Sequence, residues 1–177
     1  PSDGYKETHK LVHKSMLALK SKLVEGAPLM VLASSMGTEI INNYIWDRQH
    51  PSGIDPLGAT PFERFESLVG LFTFGNNLPI FAASHHIDSL EPITFPPPQL
   101  PPELMEKAVW ENYYDKNDSM GYPIKALNAQ YENAVVKDIP INTGGLMKSW
   151  NLLSHFGYWK SKKLVKRIAN YIESLDL

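Results

Sequence analysis

The feature that most constrains the fold is a run of apolar residues leading straight into a turn of small residues, at Leu29–Ala33. A continuous apolar run of this length is typical of a parallel strand buried on both faces. Residues 36–48 then have helical periodicity, with an apolar face formed by Ile40, Ile41, Tyr44 and Ile45. Buried strand, tight turn and helix in this order indicate an α/β protein.

The rest of the chain repeats this alternation of helix and strand. An amphipathic helix is predicted over 5–25, with Val12, Met16, Leu19 and Leu23 towards the core. Further strands are predicted at 67–74, 108–114 and 135–142, and a last amphipathic helix at 161–175. We therefore predict a single α/β domain over 1–177, with a mainly parallel sheet flanked by helices. Its first three strands should be central and buried.

Composition excludes several classes of function. The net charge of −2 gives no broad attraction for nucleic acid, and no apolar run is long enough to cross a membrane. The absence of cysteine excludes disulfides and thiolate chemistry and fits a cytoplasmic location. No motif requires a cofactor. The chain begins without Met or a signal peptide pattern, so it is expected to be a processed or partial form.

The turn after the first strand carries a candidate nucleophile. Its sequence, Ala33-Ser34-Ser35-Met36-Gly37, matches the G-x-S-x-G nucleophile elbow with Ala in place of the first Gly. In such an elbow the chain reverses sharply, so small residues are expected two positions on either side of Ser35. The helix that follows would favour an oxyanion, with the Met36 N–H as one donor. Alternatively, Ser34 or Ser35 merely caps the helix.

A serine nucleophile needs a base and an acid, and both occur in the required order along the chain. In this fold the acid follows a later strand and the histidine precedes the last helix. Asp115 and Asp118 come after the predicted strand 108–114, and His155 lies before the predicted helix 161–175. The sequence therefore predicts Ser35 as nucleophile, His155 as base, and one of the two aspartates as the acid.

At these positions the chain resembles the α/β-hydrolase superfamily, and more narrowly a group of little-characterised bacterial hydrolases. Three stretches carry the resemblance, at 33–47, 114–123 and 144–159. The Asn117-Asp118 step and the Phe72-Thr73-Phe74-Gly75-Asn76 segment are also similar to lipases of the fungal type. This resemblance implies Asp118 as the acid and His155 as the base, and an ester or related acyl compound as a small-molecule substrate.

Two departures from the family pattern bear on function. Position 34, usually His in the lipase-like elbow, is Ser here, and the family normally has several strands and an oxyanion loop before the helix that opens this chain. We therefore expect the chain to be the carboxyl-terminal part of a longer hydrolase, whose missing part supplies the second oxyanion donor. By itself it should have little activity. The alternative hypothesis is a hydrolase-like scaffold used for binding or assembly.

Other patterns suggest competing sites. His9 and His13 have a spacing that can hold a metal, but without a third ligand we expect a solvated helix face and no metal. His85 and His86 follow a strand-like segment and could line the site or compete with His155, but we prefer a loop or structural role because they precede the acid in the chain.

Two further segments have structural explanations that we prefer. The proline-rich segment 96–102 contains a P-x-x-P spacing, which we interpret as a rigid crossing loop or part of a lid. The basic cluster of the last helix, which could attract an anion, is interpreted as a solvated face; it comprises Lys160, Lys162, Lys163, Lys166 and Arg167.

Overall fold

The computed structural model describes residues 2–50, 60–83, 86–143 and 155–176. Strands and helices alternate along the chain. The strands are β1 (Leu29–Ser34), β2 (Leu68–Phe74), β3 (Val109–Tyr114) and β4 (Lys137–Pro140). The helices are α1 (Asp3–Lys20), α2 (Met36–Gln49), α3 (Leu78–Ala82), α4 (Pro102–Met105), α5 (Ala129–Ala134) and α6 (Lys162–Ser174). The protein is thus of the α/β class, as predicted.

The four described strands form one sheet in the order β1-β2-β3-β4, and every neighbouring pair is parallel. Each connection therefore crosses over the sheet, which accounts for the helices between the strands. The predicted parallel sheet flanked by helices is confirmed. Its strand bounds agree with those predicted to within two residues, and β4 is the shorter by two residues at each end.

The prediction that all three early strands are central is wrong for β1. Within the described sheet β1 lies at the edge, paired only with β2, and Leu32 is 37% exposed. Every residue of β2, by contrast, is buried. A continuous apolar run does not distinguish a central strand from an edge strand whose outer face is partly covered by helices, and this ambiguity explains the error.

The apolar face of α1 is also placed differently from the prediction. Met16 is buried and Val12 packs against the core, but Leu19 and Leu23 are about 40% exposed. The helix ends at Lys20, so Leu23 lies beyond it. In α2, by contrast, Tyr44 and Ile45 are completely buried, as predicted, while Ile40 and Ile41 are half-buried.

The proline-rich segment is held to the core by the residues around it. Ile93, Phe95 and Leu100 are buried, and the Phe95 ring meets the Trp110 ring edge-on. This agrees with a rigid crossing loop that leads into α4. None of the helices in the described part of the chain combines the length and the apolar character that a membrane crossing requires.

Arg167 corrects the interpretation of the basic cluster on α6. Its guanidinium contacts the Glu111 carboxylate of β3 through Nη2 at 2.8 Å and Nε at 3.1 Å, and Glu111 is 3% exposed. This hydrogen bonding raises the pKa of Arg167. The arginine therefore joins α6 to the sheet, whereas Lys162, Lys163 and Lys166 of the same cluster are exposed.

We predict that Arg167→Met lowers the free energy of unfolding by about 2–4 kcal/mol, because it leaves the buried Glu111 carboxylate without its cation. The upper end of the range for buried pairs is not expected, since the Arg167 side chain is 38% exposed. Lys166→Met, next to it on the same helix but exposed, is the control and should change stability by less than about 0.5 kcal/mol. Urea unfolding of the two variants measures the difference, and equal losses would contradict the prediction.

Candidate active site

The chain segments that leave the carboxyl ends of the strands converge at one edge of the sheet. Ser35 follows β1, Gly75 follows β2, and Asp115 follows β3. Parallel pairing aligns these ends, with Ser34 opposite Phe74 and Phe74 opposite Tyr113. This edge is where ligands bind in open α/β sheets.

Ser35 occupies a strained turn between β1 and α2. Its backbone has φ 55° and ψ −133°, a conformation that is costly for a residue with a side chain, on the order of 1–3 kcal/mol. Backbone hydrogen bonds hold it there: Ser35 N–H donates to the Phe74 carbonyl at 3.1 Å, and the Ser35 carbonyl accepts from Thr38 N–H at 2.8 Å. The Ser35 hydroxyl does not cap α2. The alternative of a helix-capping serine therefore does not describe Ser35.

Lack of space explains only one of the two small residues that flank Ser35. Ala33 is buried, in agreement with a requirement for a small side chain there. At Gly37, however, an added Cβ would meet no described atom within 4 Å. Steric crowding by the described residues therefore does not account for the glycine at position 37.

His155 lies between Ser35 and Asp118. Its Nε2 is 2.6 Å from Ser35 Oγ, and its Nδ1 is 2.8 Å from Asp118 Oδ2. Because a carboxylate only accepts hydrogen bonds, this network fits an imidazole with its proton on Nδ1, which leaves Nε2 to accept from the serine hydroxyl. The structure thus brings together the three residues that the sequence singled out, and both His155 and Asp118 are buried.

The Asp118 carboxylate accepts two further hydrogen bonds. Met120 N–H donates to Oδ1 at 2.9 Å, and the Tyr158 hydroxyl donates to Oδ2 at 2.8 Å. Donors on both oxygens fix the plane of the carboxylate towards His155 and satisfy a charge that is removed from water.

Asp115, the other candidate acid, has a different set of partners. Its Oδ2 accepts from the Thr143 backbone N–H at 2.6 Å and from the Thr143 hydroxyl at 2.9 Å, while Oδ1 accepts from Asn117 N–H at 3.0 Å. Burial by itself would raise the pKa of Asp115, but these hydrogen bonds outweigh it and hold the pKa below its ordinary value. Asp115 therefore ties the loop after β3 to the segment after β4, whereas Asp118 is the aspartate that contacts His155.

Gly75 and Tyr158 belong to the site but were not predicted as functional. Gly75 has φ 57°, and a Cβ there would lie 2.9 Å from the Tyr158 ring and 3.1 Å from the His155 ring. Tyr158 is completely buried beside both. Gly75 lies in the Phe72–Asn76 strand end and Tyr158 in the stretch 144–159, so the family resemblance covered both residues but implied a role for neither.

A mostly apolar cavity of about 490 Å³ opens beside Ser35 and His155. Its apolar walls include Val12, Leu32, Ile41, Phe156 and Trp159.

Met36 is the first residue of α2, so its N–H has no acceptor within the helix and is available at the turn.

The competing histidine sites have outcomes of their own. His9, expected on a solvated face, is instead buried and paired with Asp47 at 3.2 Å, and His13 lies 2.9 Å from the Tyr44 hydroxyl. Both stabilise the contact of α1 with α2. The described residues contain no group of three or more His, Cys, Asp or Glu side chains arranged to hold a metal ion. His86 is exposed, while His85 and residues 144–154, which carry part of the family resemblance, lie outside the described residues.

We predict that Asp115→Asn lowers the free energy of unfolding by about 1.5–3 kcal/mol at pH 7, because an amide N–H₂ would face either Thr143 or Asn117 donors. The pKa of Asp115 is lowered in the folded state. The stabilisation from ionised Asp115 is therefore complete at a pH above the unfolded-state pKa of about 3.9, and it is lost as the pH falls through the folded-state pKa. The deficit of the variant should therefore shrink below about pH 4 in urea unfolding. Asp88→Asn, at an exposed carboxylate, is the control. A deficit that is independent of pH would contradict this account.

Comparison with protein-family models, with curated proteins and with solved structures finds no match to this chain. The resemblance to α/β-hydrolases thus remains a hypothesis drawn from the residues. The case for a function rests on the geometry around Ser35.

Proposed function

We propose that the protein is a serine hydrolase of α/β-hydrolase type that cleaves an ester or related acyl bond through a covalent acyl-enzyme. One observation carries the proposal: a serine on a strained strand-to-helix turn is joined by hydrogen bonds of 2.6 and 2.8 Å through His155 to the Asp118 carboxylate. Nucleophile, base and acid in this mutual geometry are the arrangement that serine hydrolases use, and they occur in the chain order Ser, Asp, His.

The proposed reaction begins with attack of Ser35 Oγ on the carbonyl carbon of the substrate. The hydroxyl proton passes to His155 Nε2, and Asp118 stabilises the resulting imidazolium through Nδ1. The Met36 N–H, at the start of α2, supplies one hydrogen bond to the oxyanion.

Collapse of the tetrahedral intermediate breaks the bond to the leaving group, which takes the proton from His155 and departs as an alcohol. A water molecule then attacks the acyl-enzyme and gives a proton to His155. When the Ser35 ester bond breaks, the carboxylic acid leaves and the proton returns to Ser35 Oγ. Each proton thus moves between His155 Nε2 and an oxygen atom of the substrate, water or Ser35.

The apolar cavity beside Ser35 favours a substrate whose acyl group carries an apolar chain. Its walls are aliphatic and aromatic side chains, and its polar groups include the Ser35 hydroxyl and the His155 ring. An apolar group placed there leaves water while its carbonyl lies at the nucleophile. Anionic or strongly polar acyl groups would lose hydration in this cavity without gaining partners from its apolar walls.

We predict that a fluorophosphonate probe labels the full-length protein and that this protein hydrolyses a short-chain aryl ester. Ser35→Ala should abolish both, because the attacking oxygen is gone. Ser34→Ala is the matched control, because Ser34 is adjacent but the hydroxyl that is hydrogen-bonded to His155 belongs to Ser35. The Ser34→Ala variant should retain most of the labelling and turnover. Labelling of Ser35→Ala, or equal loss in the two variants, would disprove the proposed nucleophile. A well-folded full-length protein that neither reacts with the probe nor hydrolyses esters would favour a binding scaffold.

The two partners should contribute in a graded way. We predict that His155→Ala is nearly as damaging to kcat as Ser35→Ala, since the remaining hydroxyl has no base. Asp118→Asn should lower kcat on the order of 10⁴-fold by favouring the wrong imidazole tautomer. Asp115→Asn, compared at a temperature where it remains folded, should retain far more activity because Asp115 does not contact His155. Steady-state ester hydrolysis measures all three, and a larger loss at Asp115 than at Asp118 would reverse the assignment of the acid.

A further inference from the structure

A buried tyrosine hydroxyl lies in the hydrogen-bond network directly behind the Ser35–His155–Asp118 chain. Tyr158 Oη donates to Asp118 Oδ2 at 2.8 Å, the same oxygen that His155 Nδ1 contacts. It also accepts from the Asp115 backbone N–H at 2.9 Å. The hydroxyl is thus fixed on one side by the backbone at the end of β3 and is directed on the other side at the acid.

The surroundings of Tyr158 keep its proton in place and its position fixed. Burial, together with the neighbouring carboxylates Asp118 and Asp115, raises the pKa of Tyr158 far above its ordinary value, so the hydroxyl remains a donor. Its ring packs between the Phe74 and His155 rings, at centroid distances of 6.0 and 6.2 Å.

The space around this contact admits no larger side chain. A Cβ added at Gly121 would collide with Asp118 Oδ2 and would lie 2.7 Å from Tyr158 Oη. A Cβ at Gly75 would lie 2.9 Å from the Tyr158 ring. Glycines on two different loops therefore allow the tyrosine to approach the acid, which a hydroxyl serving only to fill the core would not require.

We propose that Tyr158 is a positioning residue for the hydrolase reaction, whose hydroxyl holds the Asp118 carboxylate in the orientation that directs His155 at Ser35. This rests on the proposed function. Met120 N–H holds Oδ1 of the carboxylate, and Tyr158 and His155 both contact Oδ2. Removal of the hydroxyl takes away the donor that holds Oδ2 independently of His155, so the carboxylate orients the imidazole less firmly. Tyr158 is completely buried and does not line the cavity beside Ser35, so turnover should change without a change in substrate binding.

The test compares Tyr158→Phe with Tyr171→Phe. Tyr171 is a matched control because it is also buried, and its hydroxyl lies within hydrogen-bonding distance of two backbone groups, the carbonyls of Val69 at 2.7 Å and Lys107 at 3.0 Å, between which its single proton is shared. Both variants lose one buried hydroxyl, but only one of them loses a contact with Asp118. Thermal unfolding, kcat and KM for a short-chain aryl ester, and the downfield proton resonance of His155 Nδ1–H are measured for each.

Tyr158→Phe should lower kcat on the order of 10- to 100-fold at nearly constant KM, the range for losing a hydrogen bond to a charged group. The Nδ1–H resonance, identified by its loss in His155→Gln, should shift or broaden. Tyr171→Phe should lose similar thermal stability yet keep both kcat and the resonance. The same kcat and the same resonance in the two variants would overturn the proposal.

The resonance separates this proposal from the proposed function, because it needs no turnover. If Ser35→Ala keeps full activity, the proposed hydrolase chemistry fails, while a shifted resonance in Tyr158→Phe still shows that Tyr158 positions the Asp118–His155 pair. If Tyr158→Phe does not fold, a ring-fluorinated tyrosine at position 158 replaces it, since this keeps the hydroxyl and makes it a stronger donor. The Nδ1–H resonance should then move upfield, and an unchanged resonance would overturn the proposal.

Discussion

Hydrogen bonding between parallel strands sets the distance between the loops that carry Ser35 and Asp118. The pairing of β1 with β2 and of β2 with β3 aligns Ser34, Phe74 and Tyr113, so the residues that follow each strand begin at one level. Ser35 and Asp118 belong to loops on strands that are not neighbours, and the loop after β2 separates them. Gly75, at the end of that middle strand, leaves the space that the His155 ring fills.

Around this level the loops are joined by polar contacts from their own residues. Asp115 connects the loop after β3 to Thr143 beyond β4, and Tyr158 connects that same loop to the segment before α6. The two hydrogen bonds of Tyr158 are buried and that between Thr143 and Asp115 is partly buried, so water and salt weaken them less than they weaken contacts at the surface. These contacts fix the loops relative to the sheet. His155, far along the chain from Ser35, is thereby held at hydrogen-bonding distance from it.

The sequence predicted what depends on local pattern. The strand, turn and helix around Ser35 follow from a continuous apolar run, small residues and a helical period. Asp118 and His155 were predicted from the chain order of the triad in α/β-hydrolases. It could not predict what depends on partners far away in the chain. The edge position of β1, the burial of His9 against Asp47 and the pairing of Arg167 with Glu111 are set by packing, to which periodicity within one segment is insensitive. Ser35, His155 and Asp118, which the sequence predicted from separate motifs, lie in one hydrogen-bond network.

The positive φ of Ser35 places stability and reactivity in opposition at a single position. A glycine would adopt this backbone conformation without the steric cost that a side chain incurs, so the fold by itself would favour glycine over the serine that is present. A library of variants enriched for thermal stability alone should therefore drift away from serine at this position, and the hydroxyl would be retained only under selection for chemistry. Residue preference at position 35 under these two kinds of selection is thus a direct record of what the turn is for.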